Sequence, residues 1–133
     1  MATTETSGND IISTGSGSDV IYDSGGSDRI NAGSGADILI YDVTANSGAN
    51  DSYSGGSEWD AVRIVLSETQ WLSDTVQTQI ARYFEHLEVV KRNANTGEVS
   101  NGTASDFTFY FDGQTLKVSM MEELQVQVGD DLI

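Results

Sequence analysis

Residues 7–40 read SGNDIISTGSGSDVIYDSGGSDRINAGSGADILI, and the stretch repeats itself every nine residues without a slip. Asp10, Asp19, Asp28 and Asp37 mark the period, each two residues ahead of a large aliphatic side chain: Ile12, Ile21, Ile30 and Leu39. Gly8, Gly17, Gly26 and Gly35 stand two residues before those aspartates, with Gly15 and Gly33 two further back. The unit is G-G-x-G-x-D-x-U-x, where U is a large apolar residue. A flexible Gly/Ser/Asp linker of the same composition would not keep aspartate and aliphatic residues in phase.

Glycines at alternate positions permit a sharp turn with positive φ, whose backbone carbonyls gather into a cup. The aspartate closing the turn adds a carboxylate, and the next three residues run extended with the middle one facing inward. Two turns then make one coil of a flattened helix. Asp10 and Asp28 are expected to stack on one edge and Asp19 and Asp37 on the other, at the sheet spacing of about 4.8 Å. Carboxylates that close repel unless a cation lies between them. Ligation by carboxylates and carbonyls alone selects a hard cation, and calcium tolerates the irregular shell such turns offer.

These residues resemble the repeats-in-toxin (RTX) family, the calcium-binding parallel β-roll of bacterial proteins exported by type I secretion. Asp10, Asp19, Asp28 and Asp37 fall on that family's ligand position, and the aliphatic residues two later on its core position. The resemblance implies about three to four calcium ions, a secreted, extracellular or cell-surface location, and contact with the type I secretion machinery through a parent protein.

The period breaks after Leu39. Asp51 follows Asp37 by fourteen residues, so an insertion is expected near 41–49. The phase then resumes with Asp51 and Asp60, and Tyr53 and Val62 take the inward places. Ala49 and Glu58 replace a turn glycine here, which weakens the expectation of sites at Asp51 and Asp60. Residues 61–66, AVRIVL, are β-branched and read as a strand closing the roll.

Ser67 with Gln70 makes a capping box. Leu72, Val76, Ile80, Phe84 and Leu87 follow at helical spacing, broadened by Trp71, Tyr83 and Val90. This amphipathic helix is expected to cover the open end of the roll, which cannot leave its last apolar edge bare. Residues 93–102 read as a loop. Phe107, Phe109 and Phe111 alternate ahead of an Asp112-Gly113 turn signal, and two more alternating strands follow, through Leu116, Val118 and Met120 and through Leu124, Val126 and Val128. The S-E-x-x-W helix start, then TGE, FTF, LKV and LQVQV, is similar to a module that follows such repeats in large secreted bacterial proteins.

The fold class is therefore mainly β: a disordered segment at 1–6, a calcium-binding parallel β-roll over 7–66, and an α+β cap over 67–133. The cap is expected to consist of the amphipathic helix and a small antiparallel strand meander with its own core. A chain of 133 residues without cysteine or proline has no disulfide or thiol-metal site, so its stability must come from a core, from metal, or from both. The net charge of −15 argues against nucleic acid and anionic membranes as partners, and no apolar run is long enough to span a bilayer. Four calcium ions would bring that charge to about −7, relieving the self-repulsion. The N-terminus lacks a basic-then-apolar signal, so export would rely on a C-terminal or remote one.

An enzyme is not expected. His86, the single histidine, flanks the helix stripe and reads as a packing or surface residue. No G-x-S-x-G elbow is present, zinc would lack ligands, and adjacent Glu122 and Glu123 make a poor acid/base pair. Asp23, Asp42, Asp74, Asp106 and Asp112 fall out of phase and read as solvated or turn residues. The reading is a monomeric, calcium-induced folding module. The alternative is a calcium-dependent recognition module of a secreted adhesin, with Phe107, Phe109, Tyr110 and Phe111 exposed to a sugar or peptide.

Overall fold

A computed structural model of the protein describes residues 9, 11–23, 25–46, 48–90, 94, 95, 106–111 and 113–132, together with the backbone of Ala2–Thr4. Among the described residues the nonapeptides fold as tight turns and short strands, and successive strands alternate between two sheets. Strands β1 (Ala2–Thr4), β3 (Val20–Asp23), β5 (Ile38–Asp42) and β7 (Ala61–Leu66) lie side by side in one sheet; β2 (Ile11–Ser13), β4 (Arg29–Asn31) and β6 (Asn50–Ser54) lie in the other. Every pairing among them is parallel, and the register advances by two repeats, as in Ile11↔Arg29 and Val20↔Ile38. The insertion is absorbed in the turn after β5, where Asp42 accepts from the backbone N–H of Thr44 and Ala45 at 3.0 and 3.2 Å. Within residues 1–6, expected to be disordered, Ala2–Thr4 instead forms β1 and continues the first sheet along β3.

Register stacks the apolar position of each repeat into two facing columns. Ile21, Leu39 and Val62 are neighbours in one sheet, and Ile12, Ile30 and Tyr53 in the other. All except the partly buried Ile12, in the first described strand of its column, are buried. Burying a side chain of this size contributes about 1.5–3 kcal/mol, which a strand of three residues gains only with a neighbouring coil on each side.

The second half keeps building on those columns. The capping box forms as expected: Gln70 N–H donates to Ser67 Oγ at 3.1 Å and Ser67 N–H to Gln70 Oε1 at 2.8 Å. The helix it starts is only one turn long, α1 (Glu68–Trp71), and a second helix, α2 (Asp74–Val89), begins after Ser73. That break rotates the stripe. Val76, Ile80 and Tyr83 are buried, whereas Leu72 and Phe84, expected on the same face, are 68% and 47% exposed. The polar Gln79 is buried with the stripe because its side chain accepts from Tyr110 N–H at 3.2 Å.

Strands β8 (Phe107–Phe111) and β9 (Gln114–Ser119) form an antiparallel hairpin, and β9 runs parallel beside β6. The next strand, β10 (Glu123–Val128), does not complete an antiparallel meander. It crosses to the other sheet and pairs in parallel with β7 along its whole length, from Glu123↔Ala61 to Val128↔Leu66. The reason lies in its alternation: Leu124 and Val126 sit level with Val62 and Ile64 and extend both the apolar column and the hydrogen-bond ladder. A two-residue strand, β11 (Asp131–Leu132), pairs antiparallel with β10. Phe109 and Phe111 are buried, and Tyr83 of α2 packs on Phe107 and Phe109 with ring centroids 5.0 Å away in each case. His86 packs its ring on Tyr83 and Phe107. One core cluster holds side chains from the roll, α2 and the last strands, so the second half has no separate core. The loop expected at 93–102 lies outside the described residues except for Ala94 and Asn95. Among the described residues no helix is long and apolar enough to cross a membrane.

The rotated helix face has a direct test. Ile80→Ala should lower stability by about 2–4 kcal/mol, whereas Leu72→Ala should stay within about 0.5 kcal/mol of wild type, both measured by thermal melts in saturating calcium.

Candidate metal centre

On one edge of the roll, the turns formed by residues 14–19, 32–37 and 55–60 lie directly over one another. Ser34 N–H donates to Gly15 O at 2.9 Å and Ser57 N–H to Gly33 O at 3.0 Å. A β-carbon on Gly33 would sit 2.2 Å from Gly15 O, and one on Gly35 would sit 2.2 Å from Gly17 O. With φ of 81° and 103°, both positions would also strain any L side chain. The glycines are thus what lets carbonyl oxygens of neighbouring turns crowd together. Glu58, in the place of the corresponding glycine, adopts φ 72°, so the irregular turn keeps the shape of the regular ones.

The aspartates form two ladders. Asp19 N–H donates to Asp37 Oδ1 at 2.8 Å, and Asp37 N–H to Asp60 Oδ1 at 2.9 Å. On the opposite edge, Asp28 N–H donates to Asp51 Oδ1 at 2.7 Å. In each rung one oxygen of a carboxylate reaches back to the backbone of the coil before it. The other oxygen, Oδ2, of Asp37, Asp51 and Asp60 is buried with no hydrogen-bond partner. An orphaned buried carboxylate oxygen costs at least 1–3 kcal/mol, roughly, unless a charged partner reaches it. An all-oxygen set of carboxylates beside carbonyl-lined turns fits a hard divalent cation, and calcium accepts six to eight such ligands, roughly.

The electrostatics agree. Burial pushes the Asp51 carboxyl up to about 7 and the Asp60 carboxyl up to about 9, and neighbouring carboxylates add to both shifts. Burial also raises Asp37. Burial thus opposes the charged form of these carboxyls in the metal-free fold, and a bound cation would favour it.

Of the residues expected at the site, Asp19, Asp28, Asp37, Asp51 and Asp60 are all buried at the two edges, with Asp19 and Asp37 together and Asp28 opposite, in the expected arrangement. Asp51 and Asp60 join the ladders despite their irregular turns. Gly15, Gly17, Gly26, Gly33 and Gly35 all have positive φ in the turns. Gly8 and Asp10 lie outside the described residues.

One site residue escaped the periodicity. Asp23, expected to be solvated or in a turn, is fully buried, and it brings one oxygen within 4.8 Å of one each from Asp28 and Asp51. Tyr53 Oη donates to Asp23 Oδ2 in a short hydrogen bond, and Gly25 N–H donates to Oδ1 at 3.1 Å. Burial lifts its carboxyl to about 6, against the opposing effect of the Tyr53 hydrogen bond. The available signal was strand alternation: Ile21 faces inward, so the residue two later must do so as well. Asp42, by contrast, is the turn residue expected.

Comparison with known families decides what this arrangement is. Residues 6–39 match the model of the RTX calcium-binding nonapeptide repeat in four copies. Residues 6–39 are RTX repeats. No curated protein and no solved structure matches the chain. RTX repeats bind calcium, and the RTX turns here carry the donors to do so on both edges of a β-roll.

Two predictions follow from the RTX ladders. In chelator, Asp51 and Asp60 hold protons more tightly in the folded chain than in the unfolded one, where a carboxyl titrates at about 3.9. Their contribution to the metal-free fold is therefore complete below that value and is lost as pH rises through about 7 and about 9. Acidifying the calcium-free protein from about pH 9 to about pH 5 should shift it toward the folded state, read as a gain of β signal in circular dichroism, and calcium uptake near neutrality should release protons. Secondly, Asp19→Ala and Asp37→Ala should be less than additive in their effect on the calcium midpoint of folding, because both damage one edge. Asp19→Ala with Asp28→Ala should damage both edges and lose more bound ions.

Proposed function

We propose that the protein is a calcium-triggered folding module, with the roll over 7–66 as the responsive element and residues 67–133 as its cap. The observation that carries the reading is the set of stacked, buried aspartates whose second oxygens, at Asp37, Asp51 and Asp60, face no hydrogen-bond donor. Without a cation these groups oppose the coil they belong to; with one, they hold it together. Binding free energy then becomes folding free energy. At a hundredfold excess over the dissociation constant each independent site would add about 2.7 kcal/mol.

Where calcium is sub-micromolar, as inside a cell, the acidic glycine-rich coils stay loose; at millimolar calcium outside they close. Such a chain suits a secreted, extracellular or cell-surface protein that passes the type I machinery unfolded and becomes ordered on arrival. The role is structural, served by a monomeric module, and three to four ions suffice for the regular turns. Asp19, Asp28, Asp37, Asp51 and Asp60 are the proposed ligands with turn carbonyls, and Asp23 joins Asp28 and Asp51 on their edge. The recognition alternative draws no support from the aromatic strand, since Phe109 and Phe111 are buried and Tyr110 alone is largely exposed.

Circular dichroism of the whole chain provides the test. In chelator the spectrum should be weak and disordered-like, and millimolar calcium should convert it to a β-rich one with some helix. Magnesium at equal concentration should be a poor substitute, because it demands a tight octahedral shell. Identical spectra with and without calcium would sink the proposal, and equal potency of the two ions would reduce the effect to charge screening.

A further inference from the structure

The edge ladder of Asp19, Asp37 and Asp60 does not end with the repeats. Asp60 N–H donates to Glu122 Oε1 at 2.6 Å, as Asp37 N–H does to Asp60 and Asp19 N–H to Asp37. Glu123 N–H donates to Asp60 O at 3.2 Å, matching Ala61 N–H to Asp37 O at 2.9 Å one coil earlier. Glu122, 4% exposed, thus occupies the place of the next aspartate. The backbone copies the turn as well. Two residues before the carboxylate, φ is positive in every turn on this edge: 99° at Gly17, 103° at Gly35, 72° at Glu58 and 55° at Met120. A methionine held in the left-handed region costs about 1–2 kcal/mol, so the surrounding structure imposes this shape.

We propose that Asp60 and Glu122 frame a further calcium site, at which the second half of the chain supplies the carboxylate that the repeats no longer provide. One more oxygen, Met120 O, lies beside the free oxygen of Asp60. A β-carbon on Gly55 would meet Met120 O at 2.4 Å and Asp60 Oδ2 at 2.8 Å, so glycine leaves open a cradle lined by both. Asp60 Oδ2 is buried and has no hydrogen-bond partner. The use of glutamate follows from the shorter turn: three residues, 120–122, link β9 to β10, whereas six, 14–19, link β2 to β3. The extra methylene restores the reach that the missing residues would have given. An ion here bridges the last coil of repeats and β10, so that calcium orders the second half directly and not only through the core. The site rests on the calcium-triggered reading above.

The experiment compares the whole wild-type chain with Glu122→Gln, which keeps an acceptor at Oε1 but removes the charge. Bound calcium is counted by native mass spectrometry, and near-ultraviolet circular dichroism follows the packing of Tyr83, Phe107 and Phe109. Terbium luminescence gives a local readout through Trp59, which adjoins Asp60 and donates from Nε1 to Glu123 Oε1 at 3.2 Å. The variant should bind one ion fewer, give weaker Trp59-sensitised terbium emission, and need about tenfold more calcium to order its aromatic rings, since affinity in such sites is set by carboxylate count. An unchanged ion count and midpoint would overturn the site while leaving calcium-triggered folding intact. A wild-type chain that took up no calcium would overturn both. Should Glu122→Gln fail to fold, Glu122→Asp decides: the same charge on a shorter arm must raise the calcium midpoint, and an unchanged midpoint would overturn the site.

Discussion

Buried like charge is the constraint on which this structure depends. The repeats place carboxylates one above another at two edges, and Asp19, Asp28, Asp37, Asp51 and Asp60 each have less than 4% of their surface exposed. Hydrogen bonding uses one oxygen of each rung and is directed by the backbone, so it cannot satisfy the other. The glycines that let carbonyls close in around these groups deepen the demand, because carbonyl oxygens are also electron-rich. A divalent ion answers both at once, and no side chain in a protein with 6 basic and 21 acidic residues could do so along a whole ladder.

The core is organised by the same geometry. A coil spacing that stacks aspartate on aspartate also stacks Ile21 on Leu39 on Val62. Metal and apolar column are therefore alternative descriptions of one register, and a slip in either would disrupt the other. The second half respects that register. Its strands β9 and β10 extend the two sheets one each, its aromatic residues fill the end of the core, and α2 covers the hairpin.

The roll was legible in the amino-acid sequence because each nonapeptide encodes its turn, its carboxylate and its inward side chain locally, and repetition made the code plain. What escaped reading was non-local. Asp23 is out of phase, and its burial depends on Tyr53, thirty residues away, donating to it across the interior. Glu122 lies sixty-two residues from Asp60, and nothing in its own neighbourhood resembles a repeat. The strand after the hairpin alternates as a meander strand would, so only the open edge of β7 distinguishes the two destinations. In the helix, a periodic stripe concealed the break before Asp74, because Ser73 can end one turn and begin the next without disturbing the spacing of apolar residues.

The ladder bonds all point one way, from the amide of an earlier coil to the carboxylate of a later one. At the end nearest β10 the series is terminated, since the amide of Asp60 already meets Glu122. The structure thus resembles a crystal with one finished face, on which the second half of the chain acts as a seed. A coil laid down against that face finds its acceptor waiting, whereas a coil formed first at the opposite end must wait for its successor. Order should therefore spread from the later residues toward the earlier ones, giving a repetitive chain a grain along which it assembles.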